Sequence, residues 1–125
     1  MDMDKSKLCD KKIDTYLRQF EAIKRSILDI GPFRKGTILK LYNVCGKPNC
    51  KCKKAKKFRH GPYLSWSAKK NGKTVTFNVP SAFSGLSNQY LANAKALDQI
   101  ISELSALSEL IIKHQIELAK KLSKN

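Results

Sequence analysis

The sequence predicts an α+β fold in which a three-stranded antiparallel β-sheet is flanked by an N-terminal helix and a long C-terminal helix. Two observations predict it. Apolar residues recur at helical spacing near both ends of the chain, and two alternating segments in the middle are separated by Asn71-Gly72. At 125 residues the chain has the length of a single domain. We predict one domain over 1–125, with a helix over 5–30, a β module over 34–80 and a helix over 88–122.

The N-terminal segment has the periodicity of an amphipathic helix. Its apolar side chains follow one another at steps of three and four, at Ile13, Tyr16, Leu17, Phe20, Ile23, Ile27 and Ile30. Gly31-Pro32 ends the pattern, because proline disfavours helical backbone in the residue before it. Cys9 falls on this predicted helix, and we interpret it as a spare thiol.

The middle of the chain contains three predicted strands. Residues 37–44 are rich in β-branched and aromatic types and too short for a good helix, which favours a strand. Residues 63–69 and 74–79 alternate between apolar and polar types, and Asn71-Gly72 between them is the strongest short signal for a β-hairpin. Gly61-Pro62 gives the second strand an extended start.

A two-residue loop fixes the register of this hairpin. The predicted pairs are Leu64 with Val79, Ser65 with Asn78, Trp66 with Phe77, Ser67 with Thr76, Ala68 with Val75, Lys69 with Thr74 and Lys70 with Lys73. One face of the hairpin is therefore apolar, and the other is polar without a negative charge. We expect Trp66 in the core and Tyr63 among the polar residues.

The C-terminal segment predicts one long helix that follows a connector over 80–87. Its apolar stripe consists of Leu97, Ile100, Ile101, Leu104, Leu107, Ile111, Ile116, Leu118 and Leu122. A helix of about 34 residues is about 50 Å long, more than a domain of this size can cover. We therefore expect the uncovered part of the stripe to form a homodimer.

A cluster of metal ligands lies between the first two predicted strands. The segment C-G-K-P-N-C-K-C-K-K-A-K-K-F-R-H supplies Cys45, Cys50, Cys52 and His60, three thiols and an imidazole of the types that bind Zn²⁺. We predict a structural zinc at these four residues. The alternatives are a reduced, metal-free loop and a ligand set without His60, which could instead cap the turn before Gly61. A disulfide framework is disfavoured, because a bridge between Cys50 and Cys52 would be strained.

The charge of the chain is strongly segregated. The formal net charge is +15, yet no Asp or Glu occurs between Asp29 and Asp98, where 14 Lys or Arg residues occur. Such a segment predicts binding to nucleic acid through phosphates, with DNA favoured over RNA. The candidate contact residues are Arg34, Lys35, Lys47, Lys51, Lys53, Lys54, Lys56, Lys57, Arg59, Tyr63, Lys69, Lys70 and Lys73. Among them Tyr63 could stack on a base, while Arg34 and Arg59, with Asn49, suit base edges. A solvated lysine face is the alternative, which explains the positive charge but not the missing acids.

Other function classes have less support in the sequence. Along the chain the acids nearest to the cysteine cluster are Asp29, 16 residues before Cys45, and Asp98, 38 residues after His60. No nucleophilic triad or glycine-rich phosphate loop occurs either, so we do not expect an enzyme. No segment is apolar enough for a membrane span or a signal peptide, and we expect a cytoplasmic protein. A structural adaptor that binds a partner protein through its helices is the alternative to nucleic-acid binding.

The segment from Cys45 to Tyr63 also carries a resemblance. C-G-K-P-N-C-K-C, then H-G-P-Y, then a hairpin with N-G-K-T resembles an uncharacterised family of small prokaryotic proteins that share a C-G-x-x-x-C-x-C…H-G-P-Y core and a helical tail. The resemblance extends over roughly residues 34 to 112. It implies the ligand set Cys45, Cys50, Cys52 and His60, and it implies no function.

Overall fold

The computed structural model describes residues 8–124, which divide into two compact units. The first unit contains the residues up to Ile30 and those from Ala96 onwards, and the second contains Gly31–Lys95. The helices and strands are α1 (Lys11–Arg25), β1 (Thr37–Asn43), β2 (His60–Lys70), β3 (Lys73–Val79) and α2 (Ser84–Ser123), with short 3₁₀ helices at Ser26–Asp29, Lys51–Lys53, Lys56–Phe58 and Ser81–Phe83. This order confirms the predicted α+β class. The single domain stays a prediction.

In the first unit, α1 is shorter than the predicted helix over 5–30. It begins at Lys11 because the side chain of Asp10 accepts a hydrogen bond of 3.0 Å from the backbone N–H of Ile13 and so caps the first turn. It ends at Arg25, where the chain tightens into a 3₁₀ helix. Residues 5–7 lie outside the described part of the chain. Cys9 precedes the cap and is exposed, so its predicted place on a helix was wrong.

The C-terminal helix α2 is longer than predicted, 40 residues or about 60 Å. It begins at Ser84 and follows the 3₁₀ helix at Ser81–Phe83, so the connector predicted over 80–87 is helical except at Pro80. Two hydrogen bonds tie α2 to the chain just before α1: His114 Nε2 lies 2.6 Å from Asp10 Oδ2, and the Gln115 amide donates to the Leu8 carbonyl at 3.3 Å. No helix in the described range is apolar and long enough to cross a membrane.

In the second unit, the three strands form one antiparallel sheet in the order β1-β2-β3. All seven predicted pairs of the β2–β3 hairpin are present, from Leu64–Val79 to Lys70–Lys73. Asn71 and Gly72 both have positive φ, 53° and 79°, as the tight hairpin turn requires. The predicted core position of Trp66 is confirmed, since only 3% of it is exposed.

Arg34 anchors the segment before β1 to the sheet. Its guanidinium donates to the carbonyls of Trp66 at 2.7 Å and Val75 at 2.8 Å, and it lies 3.9 Å from the ring centroid of Phe77. Its backbone N–H donates to the carbonyl of Tyr90 in the first turns of α2. The guanidinium is thus held inside the unit by hydrogen bonds and a cation–π contact.

Candidate metal centre

The loop between β1 and β2 carries all four predicted ligands. Cys45 follows β1. Cys50 directly precedes the short 3₁₀ helix Lys51–Lys53, and Cys52 lies within it. His60 is the first residue of β2 and pairs with Asn43. Backbone hydrogen bonds at i to i−3 close successive turns of this loop, at Cys50, Lys53, Lys54, Phe58 and Arg59. These tight turns fold sixteen residues back on themselves, so that the first and last ligands meet where the two strands pair.

The four ligand atoms lie within 4.8 Å of one another. Sγ of Cys52 is 3.6 Å from Sγ of Cys45, and Sγ of Cys50 is 3.3 Å from Nε2 of His60. In a tetrahedral site with metal–sulfur bonds of about 2.3 Å, two sulfurs lie about 3.8 Å apart, and a sulfur and a nitrogen lie slightly closer. The cluster therefore has the donor types and nearly the size that a tetrahedral metal ion requires. These residues can hold a metal ion.

The surroundings of Cys50 and Cys52 shift the pKa values of the two thiols in opposite directions. The backbone N–H of Cys52, and then the side chains of Cys45, Cys52 and His60, stabilise the thiolate of Cys50 and lower its pKa to about 6. For Cys52 the backbone N–H of Cys45, at 3.3 Å from Sγ, favours the thiolate, but burial and the neighbouring thiols outweigh it and raise the pKa. Of these two thiols, Cys50 is therefore the more readily deprotonated.

A β-bulge decides which way His60 faces. Leu41 pairs with Tyr63 and Asn43 pairs with His60, so two residues of β2, Gly61 and Pro62, stand opposite one residue of β1. The extra residue places His60 on the same sheet face as Tyr63. Gly61 is required here, because its φ is +138° and a Cβ atom would lie 2.6 Å from the carbonyl oxygen of Leu41.

The predicted nucleic-acid contact residues fall into separate groups. Seven exposed cations lie on the loop of the metal cluster, namely Lys47, Lys51, Lys53, Lys54, Lys56, Lys57 and Arg59. Within residues 8–124 these seven form no ion pair. Lys69, Lys70 and Lys73 are exposed at the far end of the β2–β3 hairpin, and Lys35 is exposed before β1. Arg34 stands apart from all of these, because its guanidinium is bound to backbone carbonyls of the sheet.

Two features of this region were missed by the sequence analysis. Strand β1 adds Leu39 and Leu41 to the sheet face that the hairpin alone predicted to be polar, and both side chains are exposed. The segment T-I-L-K-L-Y-N-V has no clear alternation that could have indicated this. The internal role of Arg34 was also missed, although its position just before a predicted strand was visible.

Comparison with protein families gives one match. The domain of unknown function DUF6788 matches residues 9–83, which include α1, the whole sheet and the four metal-ligand candidates. This span starts earlier and ends sooner than the resemblance over residues 34 to 112. Searches of curated proteins and of solved structures return no match. The chain therefore belongs to the uncharacterised family defined by the domain of unknown function DUF6788.

Proposed function

We propose that this protein binds nucleic acid through its second unit, with DNA favoured over RNA, as an accessory or regulatory factor. One observation carries the proposal. Fourteen of the 25 basic residues and none of the 10 acidic residues belong to this unit, which leaves 11 basic residues to balance the acids in the rest of the chain. A formal charge of +14 on 65 residues attracts a polyanion and raises its association rate.

We further propose that the metal ion is Zn²⁺ and that its role is structural. Three thiolates and one imidazole are a donor set that zinc prefers, and four protein ligands leave no open position for a reactive water. A metal at this site would hold the loop turns together and thereby fix the seven loop cations in place. For this reason we favour a binding role over a catalytic one.

The loop cations suit phosphates better than bases. Six of the seven are lysines, whose ammonium groups act as point charges with little geometric preference, and Arg59 is the single guanidinium among them. Binding should therefore depend strongly on salt and weakly on sequence.

Replacement of loop lysines tests this proposal. One variant changes four loop lysines together to Gln, at Lys53, Lys54, Lys56 and Lys57. The matched control removes four positive charges from the first unit instead, at Lys11, Lys12, Lys113 and Lys121. Fluorescence anisotropy with mixed-sequence DNA and RNA at 50 mM salt should show affinity reduced by at least about a hundredfold in the loop variant. The control should stay within about threefold of the unchanged protein. Equal effects of the two variants would refute a binding site on the loop.

A second proposal concerns the apolar side chains that α2 leaves exposed in the first unit. They are Ile101, Leu110, Ile112, Ile116 and Leu122. Ile101, Ile112 and Ile116 lie within about 60° of one another around the helix axis, since each residue advances about 100°. Uncovered stripes of this kind mark interfaces, and we propose a homodimer formed through this face. A partner protein bound there instead would make the chain a structural adaptor.

Light scattering distinguishes these states. A homodimer has about 28 kDa, twice the 14.1 kDa of the chain. Ile116→Asp should convert it to the single-chain mass, whereas Leu28→Asp, at an exposed position outside α2, should leave the dimer intact. A single-chain mass for the unchanged protein at micromolar concentration would contradict the homodimer.

A further inference from the structure

One face of the sheet exposes apolar and aromatic side chains inside the most basic part of the chain. We name it the Tyr63 face, formed by Leu39, Leu41, Tyr63, Ser65 and Asn78. The strand registers place these side chains together. Leu41 pairs with Tyr63, and two residues further along β2 Ser65 pairs with Leu39 on one side and with Asn78 on the other. Tyr63 is 50% exposed, Leu41 41% and Leu39 53%. Such a group in one patch is more apolar than a solvated sheet face requires.

Cations stand at both ends of the Tyr63 face. At one end, a recess of about 240 Å³ is lined by Lys47, His60 and Tyr63 together with two of the cysteines. At the other end, Lys69 shares the face, since it lies six residues after Tyr63 on β2 and pairs with Thr74. Six residues of a strand span about 20 Å. The second unit contains no carboxylate to oppose an anionic ligand along this path.

From this arrangement we propose that the Tyr63 face binds single-stranded nucleic acid, with an unpaired base stacked on Tyr63 and a neighbouring base on Leu41. The proposal rests on the proposed nucleic-acid binding and adds the form of the ligand and the surface that recognises it. Single-strand sites combine cations that follow the backbone with side chains on which bases stack. In a duplex the bases are already stacked and paired, so a surface for phosphates alone would not use the exposed ring and leucines.

Hydrogen-bonding groups on the same face fit this ligand. Ser65 pairs with Asn78, and two residues further along the hairpin Ser67 pairs with Thr76, with their hydroxyl oxygens 2.8 Å apart. These groups can meet the edges of bases that are splayed out, as sheet surfaces do in RNA recognition. A second copy of this chain is a poor occupant of the face, because two units of charge +14 would repel each other.

The experiment compares Tyr63→Ala, Tyr63→Phe and the matched control Tyr42→Ala. Tyr42 is 51% exposed and adjoins Leu41 on β1, so strand alternation directs it to the opposite side of the sheet. Anisotropy at 100 mM salt uses a labelled single-stranded oligonucleotide and its duplex. The unchanged protein should prefer the single strand by about tenfold, Tyr63→Ala should lose about tenfold in single-strand affinity alone, and Tyr63→Phe and Tyr42→Ala should change little.

A second measurement is independent of the variants. Addition of the oligonucleotide should shift the methyl NMR signals of Leu39 and Leu41 but not those of Ile112, which lies in the first unit. If binding depends on the loop lysines but shows neither a preference for the single strand nor an effect of Tyr63→Ala, this inference is overturned and the proposed function stands. If the protein binds neither the single strand nor the duplex at low salt, the inference and the proposed function are both wrong. Concentration-dependent shielding of the two leucines without nucleic acid would assign the face to a second copy and overturn the inference as well.

Discussion

Substitution of Cys50 by Ser provides a direct measure of what the metal contributes to the fold. The change from thiol to hydroxyl removes one of the three thiolate donors in the candidate site, so the variant should bind little metal. A metal held by the four clustered residues would join Cys45 to His60 and restrain the sixteen-residue loop between β1 and β2. Closing a loop of this length lowers the entropy of the unfolded chain by the equivalent of about 3 kcal/mol, and the loss of the metal should remove at least that much stability.

The assay pairs thermal unfolding with zinc analysis, and Cys9→Ser is the matched control because Cys9 is exposed and outside the cluster. For a chain of this length, about 3 kcal/mol corresponds to a decrease in Tm of about 12 °C. Cys50→Ser should show this decrease with far less than one zinc per chain, and Cys9→Ser should match the unchanged protein. EDTA should bring the unchanged protein down to the Tm of Cys50→Ser. Equal Tm and equal metal content in the two variants would refute the reasoning.

Three further predictions concern individual side chains. Arg34→Ala removes two charge-assisted hydrogen bonds to the sheet and should lower the free energy of unfolding by about 3 kcal/mol, whereas Arg18→Ala, at an exposed ion pair, should cost under about 0.5 kcal/mol in urea titrations. In the metal-free protein, iodoacetamide should label Cys50 with a half-maximal rate near pH 6, and a midpoint above about 8 would contradict its lowered pKa. The hydrogen bond from His114 and the N–H of Ile13 lower the pKa of Asp10, so its stabilising effect is present above the ordinary carboxyl pKa and is lost as pH falls through the lowered value. Asp10→Asn keeps a capping side chain, and its Tm deficit should therefore vanish in acid; a deficit that persists at pH 2 would contradict this.

The sequence was sufficient for the parts of the fold in which two local signals agree. The Asn71-Gly72 turn and the alternation of β2 and β3 independently fix the same register, and the structure has every predicted pair. The cluster of candidate ligands was likewise visible, because three cysteines and a histidine within sixteen residues favour a metal site, and the structure brings the four residues together. The distances among them depend on the bulge opposite Tyr42, which no local pattern indicates.

The remaining features depend on contacts between distant parts of the chain. Strand β1 lies at a sheet edge, and its sequence does not show which of its apolar side chains face the core, so the exposure of Leu39 and Leu41 required the register with β2. Arg34 looked like a surface cation, since a guanidinium held by carbonyls 32 and 41 residues away has no local signature. The late start of α1, at Lys11 rather than Lys5, is explained by the cap at Asp10, which apolar periodicity alone does not reveal.

The salt dependence of nucleic-acid affinity most directly tests the central claim that the second unit binds phosphates, because it would report how many phosphates this unit neutralises. If about six cations of the loop and hairpin contact phosphates, the slope of log affinity against log salt should be about −5 for a duplex, a loss of about a thousandfold between 50 and 200 mM. A slope shallower than about −1, or no binding to DNA or RNA at 50 mM, would contradict the account.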